Sequence, residues 1–287
     1  MGQSLARIKR RINTVQSTRK ITNSMKLISS VKLRKINKIV ELEGFYFSAM
    51  KRILSDAIFY NKENVDNNYK TEFIKSYPEA KKKLYILVTS NMGLCGGYNN
   101  NIIRLLKNIY VAGDEIMVIG EKGYLALTKE EDIKLDTSFL HILSGYSLTK
   151  VSGLTNHVMK RYLTKEYKEI DLVYTRYKNS IAFIPEVKKI LPIEVHENKN
   201  AAYSPIYEPS KDAVVDEVIK QYLKSLLYNL IYNAIQSEES SRRNTMDAAD
   251  KNAQDLVDDL KLEYNKARQG AITQEITEVV NGSNAVK

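Results

Sequence analysis

Near the beginning of the chain, a long stretch contains no residue that breaks a helix. Between residues 4 and 43 there is no glycine, and the first proline is Pro78. We predict one amphipathic helix that continues to about residue 54, roughly 75 Å long at 1.5 Å per residue, and a helix of this length needs a partner. The prediction depends on apolar residues that recur mostly at intervals of three and four, namely Leu5, Ile8, Ile12, Val15, Ile21, Met25, Ile28, Ile36 and Ile39.

Residues 211–280 form a second stretch of this kind, without proline and with Gly270 as its single glycine. Its apolar residues are spaced by about 3.5 to 3.7 on average, and several are alanines that let another helix approach closely. We therefore predict that the two stretches pack as an antiparallel pair or as parts of a larger assembly. The apolar residues of the second stretch are Val215, Val218, Tyr222, Leu226, Leu230, Ala249, Ala253, Leu256, Leu260, Tyr264, Ala267 and Ala271.

Between the two long helices, short runs of strand length alternate with helical periodicity. This alternation is typical of a small α/β domain with a largely parallel sheet. A last segment, residues 180–193, contains Pro185 and Pro192 and is expected at a sheet edge. The predicted strands are residues 84–89, 115–119 and 171–177, and the predicted helices are residues 99–110, 121–128 and 147–167.

The predicted fold class is therefore α/β plus a long coiled coil. An antiparallel two-helix coiled coil comes from the N- and C-terminal parts of the chain, and a small Rossmann-like α/β domain is inserted between its helices. We expect the domains to be an N-terminal coiled-coil helix over residues 1–60, the inserted domain over 76–200, and a C-terminal coiled-coil helix over 211–287.

A glycine-rich turn follows the first predicted strand and contains Gly93, Gly96 and Gly97. A strand, a glycine turn and a helix can together bind phosphate in α/β proteins. Here the final Gly-Lys-Ser/Thr of a P-loop is missing, and so is the dinucleotide pattern of three spaced glycines. We favour a structural tight turn, because glycine adopts backbone angles that other residues avoid. The alternative is a nucleotide site, which would make the chain a small α/β enzyme.

We find no catalytic or metal-binding pattern in the sequence. The three histidines, His141, His157 and His196, are scattered, and Cys95 is the only cysteine. A single cysteine cannot form an internal disulfide, and this one has no ligand neighbours at metal-binding spacing. We expect no cofactor, no metal and no catalytic site. No apolar run reaches the roughly 20 residues that cross a bilayer.

The net charge of +10 is concentrated at one end of the sequence. The first 40 residues contain eleven lysines and arginines, and Glu41 is the first acidic residue. A basic helix of this kind fits a solvated surface, an acidic protein partner or a nucleic acid. Composition alone leaves all three open.

Three separated blocks resemble the γ subunit family of F-type ATP synthases, and they occur in the family's order. The first is TRKITNSMKL at residues 18–27, and the second is the turn TSNMGLCGG at residues 89–97. The third begins with MDAA at residues 246–249 and continues through YNKARQ at 264–269 and ITQEI at 272–276. The resemblance thus covers both ends and the middle of the chain.

The resemblance implies a function as well as a fold. In the family, the coiled coil stands inside a ring of three α and three β subunits, and its rotation is coupled to ATP synthesis or hydrolysis by the ring. The chain is then a non-catalytic rotor, with an ε subunit and a membrane rotor ring as further partners and without nucleic acid. The resemblance also implies a cytoplasmic complex, peripheral to the cytoplasmic face of a bacterial plasma membrane.

The resemblance further assigns roles to individual residues. Met25 and Lys26 match the positions that contact the lever of a β subunit, although Met25 also lies on the predicted apolar stripe and has coiled-coil packing as an alternative role. The apolar segment 272–280 suits a hydrophobic bearing. Residues that match the family's polar contacts with ring loops are Arg268, Gln269, Thr273 and Glu275.

The chain also departs from the family's pattern. Asn91 and Met92 replace the Asp-Arg pair that usually precedes the glycine turn. A specialised F-type-like motor that performs other mechanical work is therefore one alternative. A basic coiled-coil protein that binds nucleic acid is a second and less favoured one.

Overall fold

The computed structural model of the protein describes residues 2–63, 71–130, 132–194, 207–208 and 210–285. It confirms the predicted fold class, since two long helices flank a sheet with its own helices. In chain order the elements are α1 (Gly2–Glu63), β1 (Lys82–Val88), α2 (Tyr98–Ile109), β2 (Glu115–Ile119), α3 (Glu121–Leu127), β3 (Lys134–Asp136), α4 (Leu148–Leu163), β4 (Tyr167–Tyr177), β5 (Phe183–Leu191) and α5 (Lys211–Ala285).

The chain forms two compact units. The first, which we call the helical-pair unit, combines the residues up to Val31 with those from Arg242 onward, and the second, the α/β unit, comprises Lys32–Ser241. The long helices α1 and α5 contribute to both units. The domain boundaries predicted from sequence stay a prediction.

The sheet has five strands in the order β3-β2-β1-β4-β5. β1 pairs in parallel with β2 and β4, and β2 pairs in parallel with β3. β5 is antiparallel to β4 and lies at the edge, with Pro185 opposite Thr175. Proline has no backbone N–H to donate to a ladder, so an edge strand tolerates it. The prediction of an edge segment is confirmed.

One local prediction was wrong, and one short strand was missed. The helix predicted over 147–167 ends at Leu163, and Tyr167 already begins β4. The backbone of Lys165 has a φ of +62°, a left-handed conformation that stops the helix before the strand. Strand β3 has only three residues and was not predicted, because so short a strand shows no measurable alternation.

The core of the α/β unit lies on both faces of the sheet. Alternate residues of β1 point to opposite faces, so that Leu84 and Ile86 join the larger cluster with α4 and α5 residues. Tyr85 and Leu87 point to the other face and pack with α2. The sequences of β1 and β2 are nearly continuous apolar runs because both faces of the sheet are covered.

Gly120 permits a close approach between β1 and β2 that sequence reasoning missed. It directly follows β2 and has a φ of +97°, and a Cβ there would lie 2.2 Å from the carbonyl oxygen of Thr89. The Thr89 hydroxyl donates to the carbonyl of Ile119 at 3.0 Å and accepts from the amide of Gly123 at 2.9 Å. Only glycine fits this position without strain.

Candidate functional site

In the helical-pair unit, buried or half-buried side chains recur at alternate spacings of four and three along each helix. This seven-residue repeat is the packed seam of a two-helix coiled coil. We call these residues the seam. On α1 the seam comprises Ile8, Ile12, Val15, Arg19, Thr22, Lys26 and Ser29, and on α5 it comprises Met246, Asp250, Ala253, Val257, Leu260, Tyr264, Ala267 and Ala271.

Two ion pairs fix the direction of the helices. Arg19 Nε lies 3.0 Å from Asp250 Oδ1, and Lys26 Nζ lies 2.6 Å from Asp247 Oδ1. Residue numbers rise along α1 as they fall along α5, so the pair is antiparallel, as predicted. The guanidinium of Arg19 also donates to Gln254.

On α1, the last four residues of the seam are polar, namely Arg19, Thr22, Lys26 and Ser29. Sequence reasoning assigned Asp247 and Asp250 no role. Their signal is two acidic residues three positions apart, opposite a basic helix, and it becomes visible only once the register of the two helices is known. Ion pairs as exposed as these contribute little to stability, so this part of the pair is held weakly by its own contacts.

Large apolar side chains of α1 lie on the face opposite the seam. We call Ile21, Leu27, Ile28 and Val31 the outer stripe; each is 55–61% exposed. At 100° per residue, these four positions occupy an arc of about 120° centred roughly 180° from the seam. The outer stripe therefore has no cover from α5.

The outer stripe corrects part of the predicted packing. Ile21 and Ile28 were expected on the buried face of the coiled coil, and that was wrong. The seven-residue repeat selects Thr22 and Ser29 for the seam instead, which turns the isoleucines outward. On α5, Leu256 was likewise predicted to be packed but is 38% exposed, whereas Val257 is buried.

Met25 lies at the border of the seam, next to the seam residue Lys26. Met25 is half-buried, and the ammonium of Lys26 is held by Asp247. Hydrogen bonds from Lys26 and then Lys251 lower the pKa of Asp247 to about 2. The predicted contact of these two residues with a β lever stays a prediction, but the charge of Lys26 is already partly neutralised within the chain.

The four residues predicted to contact ring loops, Arg268, Gln269, Thr273 and Glu275, are all exposed. Their side chains make no hydrogen bond or ion pair with any part of the chain that the structure describes. From the register of the ion pairs, the first residues of α1 are level with about residue 270 of α5, since both helices rise equally per residue. Beyond it, α5 has no α1 beside it, and the apolar residues that we call the tip are exposed: Ile272, Ile276, Val279 and Val280.

The glycine turn lies in the α/β unit and packs against α5. The carbonyl of Cys95 accepts a hydrogen bond from Ser241 Oγ at 2.7 Å, and Tyr98 donates to the carbonyl of Ala234 at 3.2 Å. Gly96 has a positive φ of +56°, whereas Gly93 and Gly97 do not. These contacts agree with the structural turn, which stays a prediction.

Within the residues that the structure describes, no three or more histidine, cysteine, aspartate or glutamate side chains form a group that could hold a metal ion. No helix among the described residues has the length and apolar character required to span a membrane.

The chain forms an antiparallel coiled coil with an inserted α/β domain. Its apolar stripe is turned away from its own partner helix, and its apolar tip is uncovered. These features define a coiled-coil subunit that binds other chains. Comparisons with known proteins agree. A family model described as ATP synthase matches residues 4–286. The ATP synthase gamma chain of Clostridium novyi is 38% identical over 292 residues, which cover 99% of each chain.

A second relative, the ATP synthase gamma chain of Mycoplasma capricolum, is 34% identical over 98% of each chain. Among solved structures, a chain of the Euglena gracilis mitochondrial ATP synthase, in an assembly titled OSCP/F1/c-ring, matches with a TM-score of 0.68. That match covers 100% of this chain and 95% of the other at 18% identity, and it concerns the fold. The chain belongs to the ATP synthase gamma chain family.

Proposed function

We propose that this chain is the central-stalk rotor subunit of an F-type rotary ATPase. Its rotation is coupled to ATP synthesis or hydrolysis by a surrounding ring of three α and three β subunits. Membership of the gamma chain family supports this function. The observation that carries it is the outer stripe, whose four large apolar side chains lie on the face of α1 opposite the seam.

The outer stripe suits a surface that turns against other chains. Apolar contacts are non-directional, so they can be exchanged during rotation without breaking hydrogen bonds. The stripe occupies one side of α1 only, and rotation brings it to successive ring subunits in turn. Each subunit therefore meets a different face of the rotor at a given moment, which is the asymmetry that coupling requires.

Polar residues complete the proposed contact surface. Met25, at the border of the seam, and Lys26, within it, contact a β lever. Arg268, Gln269, Thr273 and Glu275 contact ring loops, and their lack of partners within the described chain supports this role. The tip fits an apolar bearing at the end of α5.

The remaining assignments are parts of the same proposal. The chain is a non-catalytic subunit with no cofactor, and its α/β unit binds an ε subunit and a membrane rotor ring. The complex is peripheral to the cytoplasmic face of the membrane. The domain boundaries predicted from sequence, with the α/β domain over residues 76–200, describe how the rotor is divided.

Native mass spectrometry of the complex, purified through a tag on this chain, tests the proposal. We expect one copy of the chain with three copies of each of two larger nucleotide-binding subunits. The remaining masses identify an ε subunit and a membrane ring. Recovery of the chain alone, or with nucleic acid, contradicts the rotor function.

A substitution at Met25 tests the lever contact. In Met25→Lys, a half-buried apolar side chain becomes a cation next to Lys26, so we expect ATP-driven torque or coupling to fall while the chain still folds and assembles. Leu262→Lys is the matched control, because Leu262 is exposed on α5. Loss of folding and ring assembly in Met25→Lys counts against the assigned contact and favours packing as its role.

A further inference from the structure

A small cavity in the α/β unit lies between α1, the start of α4 and α5. Its volume is about 210 Å³, and its lining combines charged, polar and apolar side chains. At about 30 Å³ per water molecule, it has room for roughly seven waters or a solute of about that many non-hydrogen atoms. The lining residues are Glu43, Tyr46, Leu148, Gln221, Lys224 and Ser225.

The hydroxyl of Ser225 has an unmet need for a hydrogen bond. Ser225 is 2% exposed, and its Oγ has no partner within the residues that the structure describes. Other helical hydroxyls of this chain bond to the carbonyl four residues earlier, as Ser48 does to Gly44 at 2.8 Å and Thr155 does to Val151 at 2.8 Å. A buried hydroxyl without a partner is unfavourable, and a rotation of the Ser225 side chain toward the cavity would let a bound molecule supply that partner.

Two opposite charges line the same cavity without pairing. Neither Glu43 nor Lys224 forms an ion pair in the described part of the chain, and burial raises the pKa of Glu43. The amide nitrogen of Gln221 donates to Glu217 at 2.6 Å, which leaves the Gln221 oxygen as an acceptor. One side of the lining therefore favours a cation, while Lys224 favours an anion.

The start of α4 adds donors for an anion. Its N-cap residue, Ser147, makes no side-chain capping hydrogen bond, and the first turn contains no acidic residue. Leu148, the first residue of α4, lines the cavity. The free amides and the positive end of the helix dipole favour a carboxylate at this position.

We propose that this cavity binds a small zwitterion of the α-amino acid class. Its carboxylate meets Lys224 and the start of α4, and its ammonium meets Glu43 and the oxygen of Gln221. A simple anion leaves Glu43 without a counter-charge, and a simple cation leaves Lys224 without one. Tyr46 and Leu148 provide apolar contact for a short side chain. The proposal is independent of the rotor function.

Isothermal titration calorimetry on the full chain tests the proposal, with L-alanine, L-serine and L-proline as probes. Acetate and ethylamine serve as controls, because each carries one of the two charges. We expect at least one amino acid to bind with a Kd of about 1 mM or tighter. Each control should bind at least about tenfold more weakly, because it leaves one charge of the cavity unpaired.

Variants separate a ligand site from a structural feature. Lys224→Gln and Glu43→Gln should each weaken binding by about tenfold to a hundredfold. Ser225→Ala should weaken binding and yet raise the melting temperature of the unliganded chain, because it removes an unsatisfied buried hydroxyl. Ser48→Ala, whose hydroxyl is bonded within α1, is the matched control and should leave the Kd unchanged.

Two results overturn the proposal. One is that none of the three amino acids binds more tightly than about 10 mM. The other is that the cavity variants bind as the original chain does. If amino acids do not bind but Lys224→Gln weakens capture of other subunits in native mass spectrometry, the cavity holds a partner's side chain instead, and the ligand proposal is wrong.

Discussion

The two compact units of this chain bury their apolar residues to very different extents. In the α/β unit, Leu84, Ile86 and Leu87 of β1 are completely buried. In the helical-pair unit, the outer stripe and most of the tip leave more than half of each side chain exposed. Exposed apolar patches of this kind mark binding surfaces. The core of the α/β unit is therefore formed by its own residues, whereas much of the apolar surface of the helical pair is left for other chains.

The seam shows the same contrast. A buried strand residue gains hydrophobic free energy of about 1.5–3 kcal/mol from its own chain. Arg19 and Lys26 occupy seam positions where a coiled coil usually has leucine or isoleucine, and their ion pairs are half-exposed. The apolar residues that could have stabilised this part of the seam lie on the outer stripe instead. In this part of α1, the large apolar side chains are thus available to a partner and do not pack against α5.

The largest effect on stability is expected when leucine is replaced by alanine once in each unit and the two variants are compared. Leu84→Ala removes a fully buried side chain from β1, so the free energy of unfolding should fall by about 2–5 kcal/mol. Leu27→Ala removes a mostly exposed side chain of the outer stripe and should change it by less than about 0.5 kcal/mol. Denaturant unfolding of the isolated chain measures both.

The same pair also separates stability from function. Leu27→Ala should reduce coupling in the assembled complex while it leaves the isolated chain stable. A loss of stability in Leu27→Ala comparable to that in Leu84→Ala would show that the outer stripe is packed within the chain, and the contrast between the units would disappear.

Two glycines extend the comparison to the backbone. Gly120→Ala places a Cβ against the carbonyl of Thr89 at a φ of +97°, so we expect a loss of about 2–4 kcal/mol. Gly270 lies within α5 with open space around its Cα, so Gly270→Ala should stabilise the isolated chain by up to about 1 kcal/mol. Thermal unfolding distinguishes the two, and equal effects would contradict the difference in packing.

Much of the fold could be predicted because its signals are long. The apolar period of α1 extends over dozens of residues, and the strand residues of β1 and β2 form short apolar runs bounded by turns. The end of α4 and the existence of β3 could not be predicted. The end of α4 depends on one residue, Lys165, in a left-handed conformation, and β3 has only three residues, so neither leaves a periodic pattern in the sequence.

The candidate site could be predicted only in part. Resemblance to the family assigned contacts to Met25, Lys26 and the polar residues of α5, and these assignments stay predictions, whereas periodicity placed Ile21 and Ile28 on the wrong face. A period of 3.6 and a period of 3.5 differ by about 20° per heptad, so the assignment of faces drifts along a long helix. Register with α5, which only the structure supplies, decides between them.

The next smaller effect on stability is expected from a buried carboxyl group. Asp171 of β4 is buried in the α/β unit, and this burial raises its pKa to about 6, with Lys83 3.9 Å away offsetting part of the increase. In the unfolded chain, the pKa is about 3.9. The folded state therefore binds more protons between these values, and stability should fall as pH rises from about 4 to about 6.

Asp171→Asn should remove this pH dependence. Relative to the original chain, the variant should gain about 1–3 kcal/mol of stability between pH 4 and pH 7, measured by urea unfolding at each pH. Glu169→Gln is the matched control from the same strand. Burial would raise the pKa of Glu169, but hydrogen bonds from Lys83 and Lys189 lower it. The stability of Glu169→Gln relative to the original chain should therefore fall as pH rises, whereas that of Asp171→Asn should increase. Parallel curves for Asp171→Asn and the original chain would contradict the assignment.

The smallest effect is expected in the helical-pair unit, where the equivalent charges face solvent. The pKa of Asp247 is lowered to about 2 by Lys26 and Lys251, so its small contribution to stability is present above the unfolded value of about 3.9 and is lost as pH falls toward 2. Carboxyl NMR titration of Lys26→Gln should show the pKa of Asp247 moving back toward its ordinary value. Lys251→Gln, which leaves the bond between the helices intact, should move it less. A larger shift in Lys251→Gln would mean that the ion pair between Lys26 of α1 and Asp247 of α5 is weak in solution and does not hold the two helices together.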